Sequence, residues 1–116
     1  MSAESDLYAA LTADVALAAL VAERIYPDAI PQDEPLPAVV FVARAEPDFG
    51  LDNTLLATRT VASIGCWGAT RTSASAAAEA VKAVLVAQGL TWTGPESGFD
   101  PEVGAYSATI ETDIWS

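Results

Sequence analysis

The stretch Tyr106-Ser107-Ala108-Thr109-Ile110-Glu111-Thr112-Asp113-Ile114-Trp115 alternates without a break. Tyr106, Ala108, Ile110, Thr112 and Ile114 share one face, and Ser107, Thr109, Glu111 and Asp113 share the other. A period of two residues marks a strand with one face in a core and the other in water. Strands of parallel sheets are covered on both faces and do not read this way, so an antiparallel sheet with its helices on one side is expected.

Upstream, residues 94–104 are rich in Gly, Pro and acids and read as turns, after a short strand at 90–93. Gly89 is the expected C-terminal stop of a helix for which Thr70, Thr72 and Ser73 are candidate caps. Within it Ala74, Ala77, Ala78, Val81, Val84, Leu85 and Gln88 keep one face, and Ser75, Glu79 and Lys82 keep the opposite one. A stripe that starts in alanine lets the helix approach a sheet closely but buries little area per residue. Residues 38–45 (Val39, Val40, Phe41, Val42) and 55–67 (Thr58, Thr60, Val61, Ile64) carry β-branched and aromatic side chains and are expected to pair as antiparallel strands. Between them residues 46–54, with Pro47, Gly50 and Asn53, read as a long polar loop projecting from the body.

Four of the seven prolines fall in residues 26–37, which predicts an irregular connector. Before it, Leu7, Leu11, Val15, Leu17, Leu20 and Val21 follow helical spacing, with Ser2 or Ser5 as cap and Glu4 and Asp6 at the positive end of the helix dipole. This region is one kinked helix or two short ones, with the break at Thr12. The sequence therefore predicts one α+β domain over residues 1–116. Its antiparallel sheet of about four strands carries helices on one face, in the order one or two helices, strand, strand, helix, strand, strand.

Length and composition bound the function. The 116 residues fit one domain, and although much of the 52% hydrophobic fraction is alanine, Leu, Ile, Val and Phe together stay above the roughly 20% expected of a disordered chain. Five bases against 16 acids give a net charge of −11, a field that repels nucleic acid and anionic lipid. The absence of histidine removes the commonest general base and transition-metal ligand. A single cysteine, Cys66, excludes an internal disulfide and a multi-cysteine zinc site. The longest uncharged run, residues 83–95, is too short for a membrane span of about 20 residues. The acidic start, Met-Ser-Ala-Glu-Ser-Asp, is unlike a secretory signal, so the protein is expected to stay where it is made or to leave inside something larger.

Three groups of residues carry the right elements for chemistry, and each has a plainer account. Glu46, Asp48, Asp52 and Asn53 offer oxygen ligands for a hard cation, but their spacing is not that of a calcium loop and a solvated acidic loop explains them. Glu96, Asp100 and Glu102 suit paired-carboxylate catalysis only across a cleft, which neighbours in a turn seldom form. Cys66 has no histidine to activate it and reads as an inert strand residue. No catalytic, cofactor or metal site is expected, so the chain reads as no enzyme. Trp67 and Trp92 read as core, whereas Trp115, in the polar register of the last strand, suits a core or an interface equally. Arg44 and Arg59 lie in the two paired strands, where they bridge to acids of the same chain or of a neighbouring subunit. Pro47, Asp48, Phe49, Leu51, Asp52 and Asn53 on the loop, with Arg44, Arg59 and Trp115, form the candidate interface.

Several segments taken in order resemble a known family. They are Leu7-Tyr8-Ala9-Ala10-Leu11, Arg24-Ile25-Tyr26-Pro27, Leu36-Pro37 leading into a Val-rich strand, the long loop, the alanine-rich helix before Gly89, and the closing strand with Asp113-Ile114-Trp115. Together they resemble the tail completion, tail terminator or tail-to-head joining proteins of long-tailed bacteriophages. The resemblance implies a small α+β subunit of the virion tail or neck, assembled in the host cytoplasm into a homo-oligomer, a hexameric ring at the head-proximal end of the tail. Such a ring caps the tail tube protein, meets the head-tail connector or stopper protein, and lets genomic DNA pass through its lumen without specific binding. It involves no cofactor and no membrane. The second strand departs from the family expectation at Ser63-Ile64-Gly65-Cys66, where a more polar pattern is expected. Two other readings share the acidic composition: a DNA-mimicking inhibitor seated in a basic protein groove, and another ring of the phage neck.

Overall fold

The computed structural model describes residues 3–31, 35–52 and 55–115. Helix α1 (Ala3–Ala13) is followed by α2 (Val15–Val21). The break falls at Asp14, whose extended backbone and carboxylate, accepting from the Leu17 N–H at 2.8 Å, start a new helix. It does not fall at Thr12, because that hydroxyl donates back to the Tyr8 carbonyl at 2.9 Å and stays inside α1. Ser5 also lies inside α1, and Ser2 is outside the described residues.

Among the described residues five strands follow: β1 (Ile25–Pro27), β2 (Ala38–Phe49), β3 (Leu55–Gly68), β4 (Trp92–Asp100) and β5 (Ala105–Trp115), with α3 (Arg71–Ala87) between β3 and β4. The sheet order is β1-β2-β3-β5-β4, and β1 runs parallel to β2 while the other pairs are antiparallel. The α+β class and the one-sided helices agree with the sequence reading. The expectation of about four strands, all antiparallel, is corrected to five in a mixed sheet.

Two segments account for the difference. Ile25–Pro27, at the start of the proline-rich connector, forms the edge strand β1, since a proline that ends a short edge strand removes no bond the sheet needs. Residues 94–100, expected as turns, continue β4 across an irregularity between Thr93 and Glu96. That strand too is an edge, where Gly94, Pro95 and Gly98 cost the ladder little.

One core holds the described elements together. Leu7, Leu11, Leu17 and Val21 of the first two helices and Ala77, Ala78, Val81 and Leu85 of α3 close over Val39, Phe41, Ala62, Ile64, Cys66, Ala108 and Ile110 of the sheet. The Ser63-to-Cys66 departure is thereby explained: Ile64 and Cys66 point into this core. Thr70 caps α3 by accepting from the Ser73 N–H at 3.1 Å. Gly68 allows the strand to run directly under that cap, because a Cβ there would lie 2.6 Å from the Ala74 nitrogen. Gln88, expected on the buried stripe, is the exposed C-cap.

Candidate functional site

Alternation along the strands leaves one sheet face that none of the described helices covers. Val40, Val42, Arg44 and Glu46 of β2 stand on it, opposite Gly65, Ser63, Val61 and Arg59 of β3. Beyond them Thr109, Glu111, Asp113 and Trp115 continue the face on β5. Trp92 packs against the core as expected, but Trp67 does not. It occupies this bare face, half-buried beside Val40, because its register is opposite to that of Cys66.

β2 and β3 outrun the rest of the sheet. Pairing continues through Glu46 with Arg59, Pro47 with Thr58, Asp48 with Ala57 and Phe49 with Leu55, whereas β5 ends opposite Arg59. The first four residues of the expected loop 46–54 therefore continue β2 into a β-hairpin arm, with Leu51 and Asp52 in a turn at its tip. Pro47 is tolerated because β1 pairs only with Val39–Phe41, leaving the rest of β2 as an edge. The tip is apolar: Phe49 is 56% exposed, Leu55 55%, and Leu51 fully exposed. Asn53 lies outside the described residues, and for Asp48 only the backbone is described.

At the base of the arm the charged candidates meet. The Arg44 guanidinium donates to Glu46 at 2.7 Å, and Arg59 reaches Glu46 at 3.3 Å and Asp113 at 2.9 Å. Trp115, 59% exposed, is the register partner of Arg59. Arg44, Arg59 and Trp115 thus form one band across three strands, with Pro47, Phe49, Leu51 and Asp52 extending from it along the arm. Glu46, considered above as a cation ligand, is instead held between two guanidinium groups.

At the opposite end of the bare face lies a groove of about 570 Å³, lined by Ile30, Pro31, Leu36, Val40, Trp67, Val103 and Ala105, with Asp28 and Asp100 also on its wall. The sequence reading missed it. Val103, an isolated apolar residue between Glu102 and Gly104, is the one local signal, and nothing in the sequence joins it to Leu36 or Trp67.

The remaining chemical candidates stay apart. Burial pushes the Cys66 thiol up to about 12, the direction opposite to activation. The Asp100 carboxylate accepts from the Glu102 N–H at 2.9 Å and closes a turn, with Glu96 further along β4. Among the described residues no group of three or more His, Cys, Asp or Glu side chains is placed to hold a metal, and no helix is long and apolar enough to cross a membrane.

No curated protein sequence matches the chain significantly. The fold resembles that of a chain in the structure titled "Virion of native gene transfer agent (GTA) particle", with a TM-score of 0.74, 24% sequence identity, and coverage of 94% of this chain and 90% of that one. The family model described as "Tail completion protein gp17" matches residues 5–116, the span over which the ordered segments pointed the same way. The chain therefore belongs to the tail completion protein gp17 family and is a structural protein of the phage virion tail.

Proposed function

We propose that residues 1–116 act as one tail-terminator-like domain that assembles into a hexameric ring at the head-proximal end of the tail. The ring stops polymerisation of the tail tube protein and presents a surface to the head connector or stopper protein. It acts through shape and charge, without catalysis or a cofactor. The observation that carries this reading is the family match over nearly the whole chain.

Three features support it. A sheet with helices on one side has a second face that subunit contacts can cover. The arm and the band of Arg44, Arg59 and Trp115 offer an extended surface to neighbours. A ring of chains carrying −11 each has an acidic character suited to a DNA channel, since the duplex brings about one negative charge per 1.7 Å and like charges repel over a Debye length of about 8 Å. The duplex then slides through such a ring without sticking. Electron microscopy of the purified protein with and without tail tubes tests the proposal. Rings alone, and rings capping one end of each tube, are expected; tubes that bind no ring and keep elongating in its presence contradict it.

A further inference from the structure

We propose that the tip of the β2–β3 arm of one subunit seats in the groove beside Trp67 of the next copy of the same chain. This rests on the ring reading and adds to it the contact by which the ring closes. The two surfaces are complementary and lie at opposite ends of one sheet. Phe49, Leu51 and Leu55 form an exposed apolar knob. Leu36, Val40, Trp67 and Val103 line an apolar hollow of about 570 Å³, large enough for one or two such side chains.

The knob cannot reach the hollow of its own molecule. Both are fixed to β2, the knob at Phe49 and the hollow at Val40, and nine residues of continuous strand hold them about 30 Å apart. Only another molecule can fill either. A patch on one end of a subunit that fits a pocket on the other end makes a head-to-tail contact, which closes into a ring when the rotation allows.

The size of the contact sets its strength. Three apolar side chains fall well short of the ~800 Å² per partner of a stable two-body complex. A pair of copies therefore separates readily, and the contact holds when ring closure makes each subunit both donor and acceptor. Asp52 lies within the span of the knob, next to Leu51, and Asp28 and Asp100 flank the hollow. These like charges weaken the contact at low salt, and screening strengthens it.

Cross-linking with cysteines at the two surfaces tests the contact in the full chain, because buried Cys66 does not compete. A Leu51→Cys, Val103→Cys double variant should form a disulfide ladder beyond the dimer under mild oxidation, at least several-fold more in 0.5 M than in 0.02 M salt. Neither single variant should pass the dimer. Leu51→Asp, at a fully exposed site, should keep the wild-type melting temperature and lose oligomer in light scattering. Wild-type oligomers without a ladder in the double variant would overturn the contact and leave the ring standing, and so would tip-to-tip dimers in Leu51→Cys alone with no ladder in the double variant. A protein that stays monomeric at every concentration and gives no ladder would overturn both.

Discussion

Arg59 stands directly opposite Trp115 in the β3–β5 ladder, and from that position its guanidinium reaches Asp113 at 2.9 Å on one side and Glu46 at 3.3 Å on the other. One cation links three strands at the line where the sheet narrows to the arm. The location matters more than the energy. All three partners are about 40% exposed, and ion pairs in that setting contribute at most about 1 kcal/mol.

Arg59→Ala is accordingly expected to lower the free energy of unfolding by about 1 kcal/mol or less in urea titration, with a smaller difference in 1 M salt, where the Debye length is about 3 Å. A loss several times larger would mean that the band is a structural keystone of the monomer.

Trp115→Ala should separate assembly from folding. The side chain is 59% exposed, so its removal is expected to change monomer stability by about 1 kcal/mol or less. Oligomer formed at a given concentration, measured by light scattering, is expected to fall severalfold. Unchanged assembly would remove Trp115 from the interface.

The core makes a contrasting prediction. Leu85 is fully buried between α3 and the sheet, and Leu85→Ala should cost about 2–5 kcal/mol in urea unfolding, a large part of the stability of a small domain. Its neighbour Val86 is exposed, and Val86→Ala should stay within about 0.5 kcal/mol of wild type.

Cys66 gives stability a pH dependence. Burial raises its thiol from 9.0 to about 12, so between those values the native state holds a proton that the unfolded chain releases. The contribution of this group is fully present below pH 9 and is lost as pH rises toward 12, at up to about 1.4 kcal/mol per pH unit. Thermal melting from pH 8 to 10.5 should show the decline in wild type, and Cys66→Ala should show less of it. Thiol labelling at pH 8 should keep pace with global unfolding; fast labelling of native protein would contradict the burial of this strand.

Much of this fold was legible because its signals are local. Alternation in β5 and the alanine stripe of α3 needed only the side chains of each segment, and both faces proved as read except at Gln88. The errors in placing strands share one cause, since sheet edges relax the rules that interior strands obey. Pro27, Pro47, Gly94, Pro95 and Gly98 all read as breaks, and all five sit in strands or extensions with an open side, where a missing donor or side chain costs little. Trp67 reads as core from its own segment, and only the pairing of β3 with β2 fixes the register that puts it on the opposite face. The convergence of Arg44, Arg59 and Trp115 into one band depended on the long-range pairing of Glu46, Arg59 and Trp115. The groove depended on four separate segments and could not be read at all.

Cryo-electron microscopy of tails purified from particles with and without the protein measures directly whether a ring of this chain closes the head-proximal end of the tail. With the protein, a ring fitting the α+β fold should cap one end of tubes of uniform length; without it, that density should vanish and tube lengths should spread. Tails that end uniformly and join heads in its absence would contradict the account.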